Sequence, residues 1–262
     1  MRLPKLKSPI YETQLPSTGE KVLFRPFTVK EEKLLLIAVD DDEDIQIRAV
    51  RQVLQNCLLN SKLDVSNLPI FDIDYLWLRL RSKSVEEIVT LPFECRAQLP
   101  EGETAKDEEG NERNYCGTFV NVPINLDTIE VKKNPENNPK IELQDHICIK
   151  LKYPTFETFQ KVMKLKESDM DSTFEVIIEC IEMIYESDTG KTYEKQYLDK
   201  KELIEFLESL SGPQFQKIML FFETLPKVRH EVHFRCPKCK HEADVVIEGT
   251  KSFLASEQVT KV

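Results

Sequence analysis

Residues 230–247 read HEVHFRCPKCKHEADVVI, in which two strand-like runs flank a Cys-x-x-Cys turn. A tight turn between two strands aims its two thiolates at one point, which is the geometry of a zinc-binding knuckle. Two cysteines supply only half of the four ligands that a structural zinc ion takes. The sequence therefore predicts further ligands elsewhere in the chain.

An earlier part of the chain repeats this pattern in two pieces. Phe-Glu-Cys at 93–95 matches Phe-Arg-Cys at 234–236, and CGTFVNVPI at 116–124 matches residues 239–247, because each cysteine precedes a strand that ends in Val-x-Ile. On this comparison the earlier knuckle is interrupted by the charged segment 96–115. We expect the two knuckles to hold one structural zinc ion that ties the middle of the chain to its C-terminus. The predicted ligands are Cys95, Cys116, Cys236 and Cys239.

Other assignments of the cysteines stay open at the level of sequence. Imidazole also suits zinc, so the C-terminal cysteine pair could act with His230, His233 or His241. A redox Cys-x-x-Cys favours a helix N-terminus, whereas strand-like sequence follows here. Cysteines that bind nothing are the remaining alternative. The other three cysteines lie in apolar segments and are predicted core residues: Cys57, Cys148 and Cys180.

Composition excludes several classes of function. The 262 residues carry 36 Lys and Arg against 46 Asp and Glu, a net charge of −10 that opposes binding to nucleic acid. No apolar run is long enough to span a membrane, no signal peptide is visible, and seven cysteines without one indicate a reducing cytosol. The seven glycines are too widely spaced for a dinucleotide-binding or phosphate-binding loop.

Hydrophobic periodicity predicts an α+β fold with an N-terminal β-hairpin and helices, a central antiparallel β region, a helical second half and a C-terminal zinc-ribbon-like β unit. No long linker divides the chain, so we expect a single α+β body over 1–262. Its expected segments are the hairpin plus helices over 10–84, a β region with the first cysteine knuckle over 85–153, a helical region over 154–228, and a C-terminal β knuckle over 229–255 that packs on the β region.

Individual elements follow from the same patterns. Thr28 and Glu31 have capping-box spacing at the start of the first helix, and Trp77 lies on an apolar stripe that predicts a core position. Predicted helices cover 29–40, 43–60, 71–81, 155–165, 171–186, 199–210 and 213–224. Predicted strands cover 87–93, 118–124, 128–131, 146–151, 230–235 and 242–247, after a hairpin over 10–27.

The sequence contains none of the common catalytic motifs. His-Glu-x-x-His, Gly-x-Ser-x-Gly and glycine-rich loops are absent. The acidic run at 40–44 repels itself and is typical of a solvated loop, and the isolated His146 indicates a structural residue. We therefore predict that the protein is not an enzyme and has no catalytic residues.

Five short stretches together resemble a known family. They are LPSTG at 15–19, FRPFTVKEEK at 24–33, IFDIDYL at 70–76, KYP at 152–154 and FFETLPK at 221–227. In this order and spacing they resemble the baseplate hub proteins of T4-like contractile-tailed bacteriophages, over about residues 8 to 255.

The resemblance implies a non-enzymatic role in assembly of the central hub, as a structural subunit or as an assembly chaperone. The implied partners are other phage baseplate hub proteins, with no small-molecule substrate, no nucleic acid and no membrane-spanning segment. The implied locations are the host cytoplasm during assembly and the tail baseplate of the virion. Related sequences often lack cysteines at the C-terminal turn, so the zinc prediction rests on the residues of this chain.

Two further hypotheses concern binding. Phe24, Arg25 and Phe27 in the hairpin and the aromatic-rich segment 215–225 are candidates for a hub contact, unless these aromatic side chains simply fill the core. The alternative function is a zinc-ribbon-containing adaptor that binds nucleic acid or the transcription machinery.

Overall fold

The computed structural model describes residues 6–38, 43–60, 62–100, 102–106, 110–158 and 170–249. Its α-helices are α1 (Val29–Ala38), α2 (Glu43–Cys57), α3 (Ile70–Ser84), α4 (Met170–Cys180), α5 (Lys200–Glu208) and α6 (Gly212–Glu223). Its β-strands are β1 (Tyr11–Gln14), β2 (Lys21–Phe24), β3 (Ile88–Glu94), β4 (Ala105–Lys106), β5 (Glu112–Arg113), β6 (Phe119–Asn125), β7 (Glu130–Lys132), β8 (Lys140–Gln144), β9 (Ile147–Leu151), β10 (Ile181–Glu186), β11 (Thr192–Glu194), β12 (Lys227–Arg235) and β13 (Glu242–Glu248). The predicted class, helices with antiparallel sheets, is confirmed.

The described residues group into two compact units. The first takes its residues from Met1–Ile73 and Lys132–Pro226, and the second from Asp74–Val131 and Lys227–Val262. Strands from the predicted β region over 85–153 therefore contribute to both units. The expectation of a single body with four consecutive segments stays a prediction.

In the first unit, the N-terminal hairpin is fastened through its turn. Strands β1 and β2 pair from Tyr11 opposite Phe24 to Gln14 opposite Lys21. In the turn between them, the backbone N–H of Ser17 donates to the Asp72 carboxylate at 3.0 Å, and the Ser17 hydroxyl donates to the same group. Asp72 is buried, and a buried carboxylate needs such donors to offset the loss of water. The hairpin turn thus satisfies a polar group at the start of α3.

An ion pair between half-buried Arg25 and buried Glu31 connects the same hairpin to α1. The Arg25 guanidinium donates to Glu31 at 2.9 Å and to the backbone carbonyls of Pro26 and Asn56. Glu31 also accepts from the backbone N–H of Thr28 at 2.8 Å and from its hydroxyl. The predicted capping-box contact between Thr28 and Glu31 is confirmed. The same carboxylate also accepts a hydrogen bond from the Arg25 guanidinium.

Helices cover a four-stranded antiparallel sheet in the first unit. The strand order is β11-β10-β9-β8, and the buried core includes Ile149 from β9 and Ile181 from β10. Helix α4 adds Ile177 and Ile178, while α5 and α6 add further apolar residues. This cluster is the core that the apolar stripes of the second half predict.

One predicted helix is wrong in its second half. The sequence predicts a helix over 171–186, but α4 ends at Cys180 and β10 begins at Ile181. Apolar residues at 177, 178, 181 and 184 fit a helix, yet β10 pairs with β9 on one side and β11 on the other. Pairing on both sides outweighs the local helical pattern, as tertiary contacts often do.

Some predicted elements lie partly or wholly outside the described residues. The helix predicted over 155–165 mostly falls on 159–169, and the acidic run at 40–44 begins on 39–42, which the structure does not describe. Strands β8 and β11, and the short β4 and β5 within the charged segment, were not predicted. These strands are short or highly charged, so a period-two apolar pattern is weak in them.

The second unit buries one core between two β-hairpins. Strand β3 pairs with β6, from Ile88 opposite Asn125 to Glu94 opposite Phe119, and β12 pairs with β13. The buried residues include Leu91, Phe93 and Ile124 from the first hairpin and Val232, Phe234 and Ile247 from the second. Apolar residues alternate along all four strands, which is the pattern that predicts them.

Four predicted core residues are confirmed as buried: Cys57, Cys148, Cys180 and Trp77. Phe24 and Phe221, which were candidates for a hub contact, are also buried. The burial of Phe24 and Phe221 favours the core-filling alternative for those two aromatic side chains. No described helix is long and apolar enough to cross a membrane.

We expect Glu31→Gln to remove part of the pH dependence of stability. Burial alone would raise the pKa of Glu31, but hydrogen bonds from Arg25 and Thr28 lower it from 4.5 to about 2. The unfolded chain therefore takes up this proton first, and the free energy of unfolding falls by about 3 kcal/mol as the pH drops from 4.5 toward 2. Glutamine does not titrate, so the variant loses this acid-sensitive contribution.

The measurement is urea denaturation from about pH 7 down to pH 2, with Glu32→Gln as the matched control because Glu32 is exposed on the same helix. The control should keep the profile of the unsubstituted chain. Parallel pH profiles for Glu31→Gln and the unsubstituted chain would contradict the assignment.

Candidate metal centre

Each of the four cysteines predicted to bind zinc lies next to the end of a strand of the second unit. Cys95 directly follows β3 and Cys116 precedes β6, while Cys236 follows β12 and Cys239 precedes β13. Both hairpins are antiparallel, so the two cysteines of each hairpin meet at the same end. The fold therefore brings together residues that are separated by up to 144 positions.

The four sulfur atoms form a compact group. All four Sγ atoms lie within 4.8 Å of one another, with Cys95 Sγ 3.6 Å from Cys239 Sγ and Cys116 Sγ 3.9 Å from Cys236 Sγ. A tetrahedral zinc site with Zn–S bonds of about 2.3 Å has its sulfurs about 3.8 Å apart. None of the cysteines is in a disulfide. The spacing is that of four thiolates around one ion.

Two backbone hydrogen bonds shape the first knuckle. The N–H of Cys95 donates to the carbonyl of Thr118 at 2.9 Å, and the N–H of Gly117 donates to the carbonyl of Cys95 at 2.8 Å. Gly117, which follows Cys116, has φ +61°, a left-handed conformation that glycine adopts without steric cost. The chain reverses there and points the Cys116 thiol at the group.

The second knuckle has the same construction. The N–H of Cys236 donates to the carbonyl of His241 at 2.8 Å, and the N–H of Lys240 donates to the carbonyl of Cys236 at 3.0 Å. Lys240, which follows Cys239, has φ +63°, in the same left-handed region as Gly117. The internal repeat that the sequence predicts is therefore present in the backbone, despite the long segment that interrupts the first copy.

The two hairpins also match in how they pack. The Phe93 and Phe234 rings, each two residues before a cysteine, stack with centroids 5.6 Å apart at 25°. Ile124 and Ile247, at the ends of the following strands, are both buried in the shared core. Apolar packing thus aligns the hairpins and brings their cysteine ends together.

Arginines from the interrupting segment close over the first knuckle. Arg113 donates to the Gly117 carbonyl at 3.2 Å and pairs with buried Glu94 at 3.4 Å, and Arg96 pairs with Glu94 at 3.1 Å. Both guanidinium groups lie over the Tyr115 ring, 5.2 and 5.4 Å from its centroid. These contacts anchor both ends of the segment beside the cysteines. These contacts are not predictable from the sequence, because only the charge of Arg96 and Arg113 distinguishes these residues there.

The electrostatics of the thiols are uneven. Burial raises the pKa of the Cys95 thiol to about 12. Burial also opposes ionisation of Cys116, but hydrogen bonds from Thr118 and from the Cys239 and Cys236 thiols lower the pKa of Cys116 to about 7. A metal cation at the centre would favour the thiolate form throughout the group.

The donor set suits a structural metal. Cys95, Cys116 and Cys236 are buried and Cys239 is exposed, so four thiolates can close a site with no position left for substrate. Within the part of the chain that the structure describes, the candidate metal group includes no histidine. His233 instead contacts Asp244 on an exposed strand face, with 2.8 Å between Nδ1 and the carboxylate. The four cysteines can therefore hold one ion.

The chain matches the model of a known protein family over most of its length. The family model described as T4 bacteriophage base plate protein matches residues 8–255. Neither a curated protein nor a solved structure matches the chain.

We expect Gly117→Ala and Lys240→Gly to have unequal effects on stability. A Cβ at residue 117 would lie 1.9 Å from Cζ of Arg113, and alanine resists the left-handed conformation, so the free energy of unfolding should fall by about 1–3 kcal/mol. Lys240→Gly relaxes the same backbone conformation, so its effect should lie within about 1 kcal/mol of zero. Guanidinium denaturation in the presence of zinc measures both, and equal losses would contradict the matched geometry.

Proposed function

We propose that this chain, which belongs to the T4 bacteriophage base plate protein family, is a non-enzymatic protein of the tail baseplate hub. It acts in assembly of the hub, as a structural subunit or as an assembly chaperone, and its partners are other hub proteins. It is present in the host cytoplasm during assembly and, as a subunit, in the virion. The observation that carries this proposal is the family match over nearly the whole chain.

The chemistry of the cysteine group supports a scaffold role. It is the one candidate metal group among the described residues, and its four thiolates leave no open coordination position. The motifs that carry the family resemblance also serve the architecture: Arg25 fixes Glu31, and the LPSTG turn satisfies Asp72. These observations favour residues that hold a shape over residues that carry out a reaction.

We further propose that Cys95, Cys116, Cys236 and Cys239 bind one structural zinc ion. The sulfur spacing of 3.6 and 3.9 Å fits tetrahedral thiolate coordination. Such an ion would join two hairpins that are far apart in the sequence, and its binding free energy would contribute to folding.

We expect about one zinc ion per chain after purification without chelator. Cys95→Ser should lose most of this zinc and lower the midpoint of thermal unfolding, because three thiolates bind zinc less tightly than four. Replacing His230, His233 and His241 together should leave the zinc content unchanged. Inductively coupled plasma mass spectrometry measures the metal.

The matched control is Cys148→Ser, because Cys148 is buried but lies outside the cysteine group. It separates loss of a ligand from general loss of a buried cysteine. Full zinc content in both Cys95→Ser and Cys116→Ser would overturn the four-cysteine assignment, and zinc loss in the triple histidine variant would favour the cysteine–histidine alternative.

An apolar face of α1 is our candidate for contact with a hub partner. Val29, Leu36 and Ile37 are 79, 65 and 62% exposed. Exposed apolar side chains in this density are typical of a surface that another protein covers. This face replaces Phe24 as the candidate contact near the N-terminal hairpin, because Phe24 is buried.

We expect Leu36→Ser combined with Ile37→Ser to reduce recovery of other hub proteins with an affinity-tagged chain from infected cells. Removal of exposed apolar anchors weakens association while changing stability by less than about 0.5 kcal/mol per site. Val246→Ser is the matched control, since Val246 is also exposed but lies on β13. Quantitative mass spectrometry of the recovered proteins is the measurement.

Recovery of peripheral baseplate proteins in place of hub proteins would contradict the hub assignment. Unchanged recovery with the double variant would show that α1 is not part of the contact surface. Purified particles distinguish the two hub roles. A structural subunit is present in particles and lysate, whereas an assembly chaperone is present in lysate alone.

One observation favours the alternative function of a nucleic-acid-binding adaptor: Lys238 and Lys240 of the second knuckle are exposed. The net charge of −10 opposes it. Retention on a DNA column with a steep dependence on salt concentration would support the adaptor over the hub protein.

A further inference from the structure

We propose that Cys239 is a thiol-modification site and that Cys95 is its resolving partner, so that mild oxidation joins the two hairpins through a Cys95–Cys239 disulfide. The inference concerns the same cysteine group as the proposed zinc site. It predicts which thiol reacts first with a small disulfide reagent. It also predicts which disulfide then links the two hairpins in place of a metal ion.

Accessibility selects Cys239 as the thiol that reacts first. Cys95, Cys116 and Cys236 are each at most 1% exposed, whereas Cys239 is exposed at the tip of the second knuckle. Thiol–disulfide exchange requires the reagent to approach the attacking sulfur along the S–S axis, which a buried thiol does not allow. Only Cys239 in this group meets that requirement.

The charge around Cys239 favours one class of reagent. Lys238 and Lys240 flank it and are both exposed. Two adjacent cations attract an anionic disulfide, and glutathione disulfide carries carboxylates that fit this environment. The reagent is therefore drawn to the thiol that it can reach.

Distance selects Cys95 as the resolving thiol. Its Sγ lies 3.6 Å from Cys239 Sγ, and the Sγ atoms of Cys116 and Cys236 are 3.9 Å apart. Both pairs join different hairpins. A disulfide requires about 2.05 Å between sulfurs, so rotation of the two side chains must close roughly 1.6 Å. The close pairs predict crosslinks between knuckles, and not within the Cys-x-x-Cys turn.

The reaction takes two exchange steps. The Cys239 thiolate attacks glutathione disulfide, forms a mixed disulfide and releases one glutathione thiolate. Cys95 then attacks the Cys239 sulfur as its thiol proton passes to the departing glutathione sulfur, which forms the Cys95–Cys239 bond and releases the second glutathione. The two cysteines lose two electrons and the reagent gains them. A zinc ion held by these cysteines would lose two of its ligands, and in metal-free protein the two thiol protons end on the two glutathione thiols.

A tryptic digest identifies which cysteines are joined by a disulfide. Cleavage after Arg96, Arg113, Arg235, Lys238 and Lys240 places the four cysteines in four different peptides. Even Cys236 and Cys239 separate, because Lys238 lies between them. A non-reducing digest after blocking of free thiols with N-ethylmaleimide therefore distinguishes every pairing by mass.

The experiment treats the full chain with glutathione disulfide, both as purified and after incubation with EDTA, and maps the crosslinked peptides. We expect the Cys95–Cys239 peptide pair to be the main product, with glutathione attached at Cys239 in Cys95→Ser and no glutathione or Cys95 crosslink in Cys239→Ser. Cys148→Ser should behave as the unsubstituted chain. A main product that joins Cys236 to Cys239 or Cys95 to Cys116, or the absence of any crosslink, would overturn the proposal.

The metal content, measured on the same samples, separates this proposal from the zinc proposal. If the purified chain holds no zinc but forms the Cys95–Cys239 bond, the zinc site fails and the modification site stands. If zinc is bound and a different pair forms, the modification site fails and the zinc site stands.

Discussion

The second unit depends on two β-hairpins burying a shared core while their cysteine ends converge. Strands β3 and β6 form a two-stranded sheet, which is marginally stable alone, so it needs the β12–β13 hairpin to cover its apolar face. Stacking of Phe93 on Phe234 and burial of Ile124 and Ile247 supply that cover. The same packing forces four thiols to within 4.8 Å of one another, where their ionised forms repel unless a cation lies among them.

The repeat behind this arrangement was predictable because it is local. Each copy places a phenylalanine two residues before a cysteine and a second cysteine before a strand, and the structure gives Gly117 and Lys240 the same left-handed backbone. The clamp of Arg113 on Glu94 was not predictable, since it joins residues that no pattern relates. Ile181 was misassigned for a similar reason: its strand pairing depends on residues distant in the sequence.

In the first unit, buried carboxylates explain why the family motifs have their spacing. Glu31 needs Arg25 and Thr28 as donors, and Asp72 needs the turn that contains Ser17. These donors must stay at fixed positions in the sequence because an unpaired buried carboxylate is costly. Exposed residues such as Leu36 and Ile37 of α1 have no such constraint. The family resemblance is therefore stronger evidence for the fold than for a particular binding partner.

The charge distribution links the cysteine group to the rest of this acidic chain. A zinc ion with four thiolates carries a formal charge of about −2, which a low-dielectric environment tolerates only with nearby cations or hydrogen-bond donors. Although the net charge is −10, four of the eight residues that adjoin these cysteines in sequence are basic, and Glu94 is the one acidic neighbour; the basic residues are Arg96, Arg235, Lys238 and Lys240. Arg113 also donates to the Gly117 carbonyl. Glu94 offsets part of this positive charge through its pairs with Arg96 and Arg113, and Lys238 and Lys240 remain to offset the charge of the thiolates.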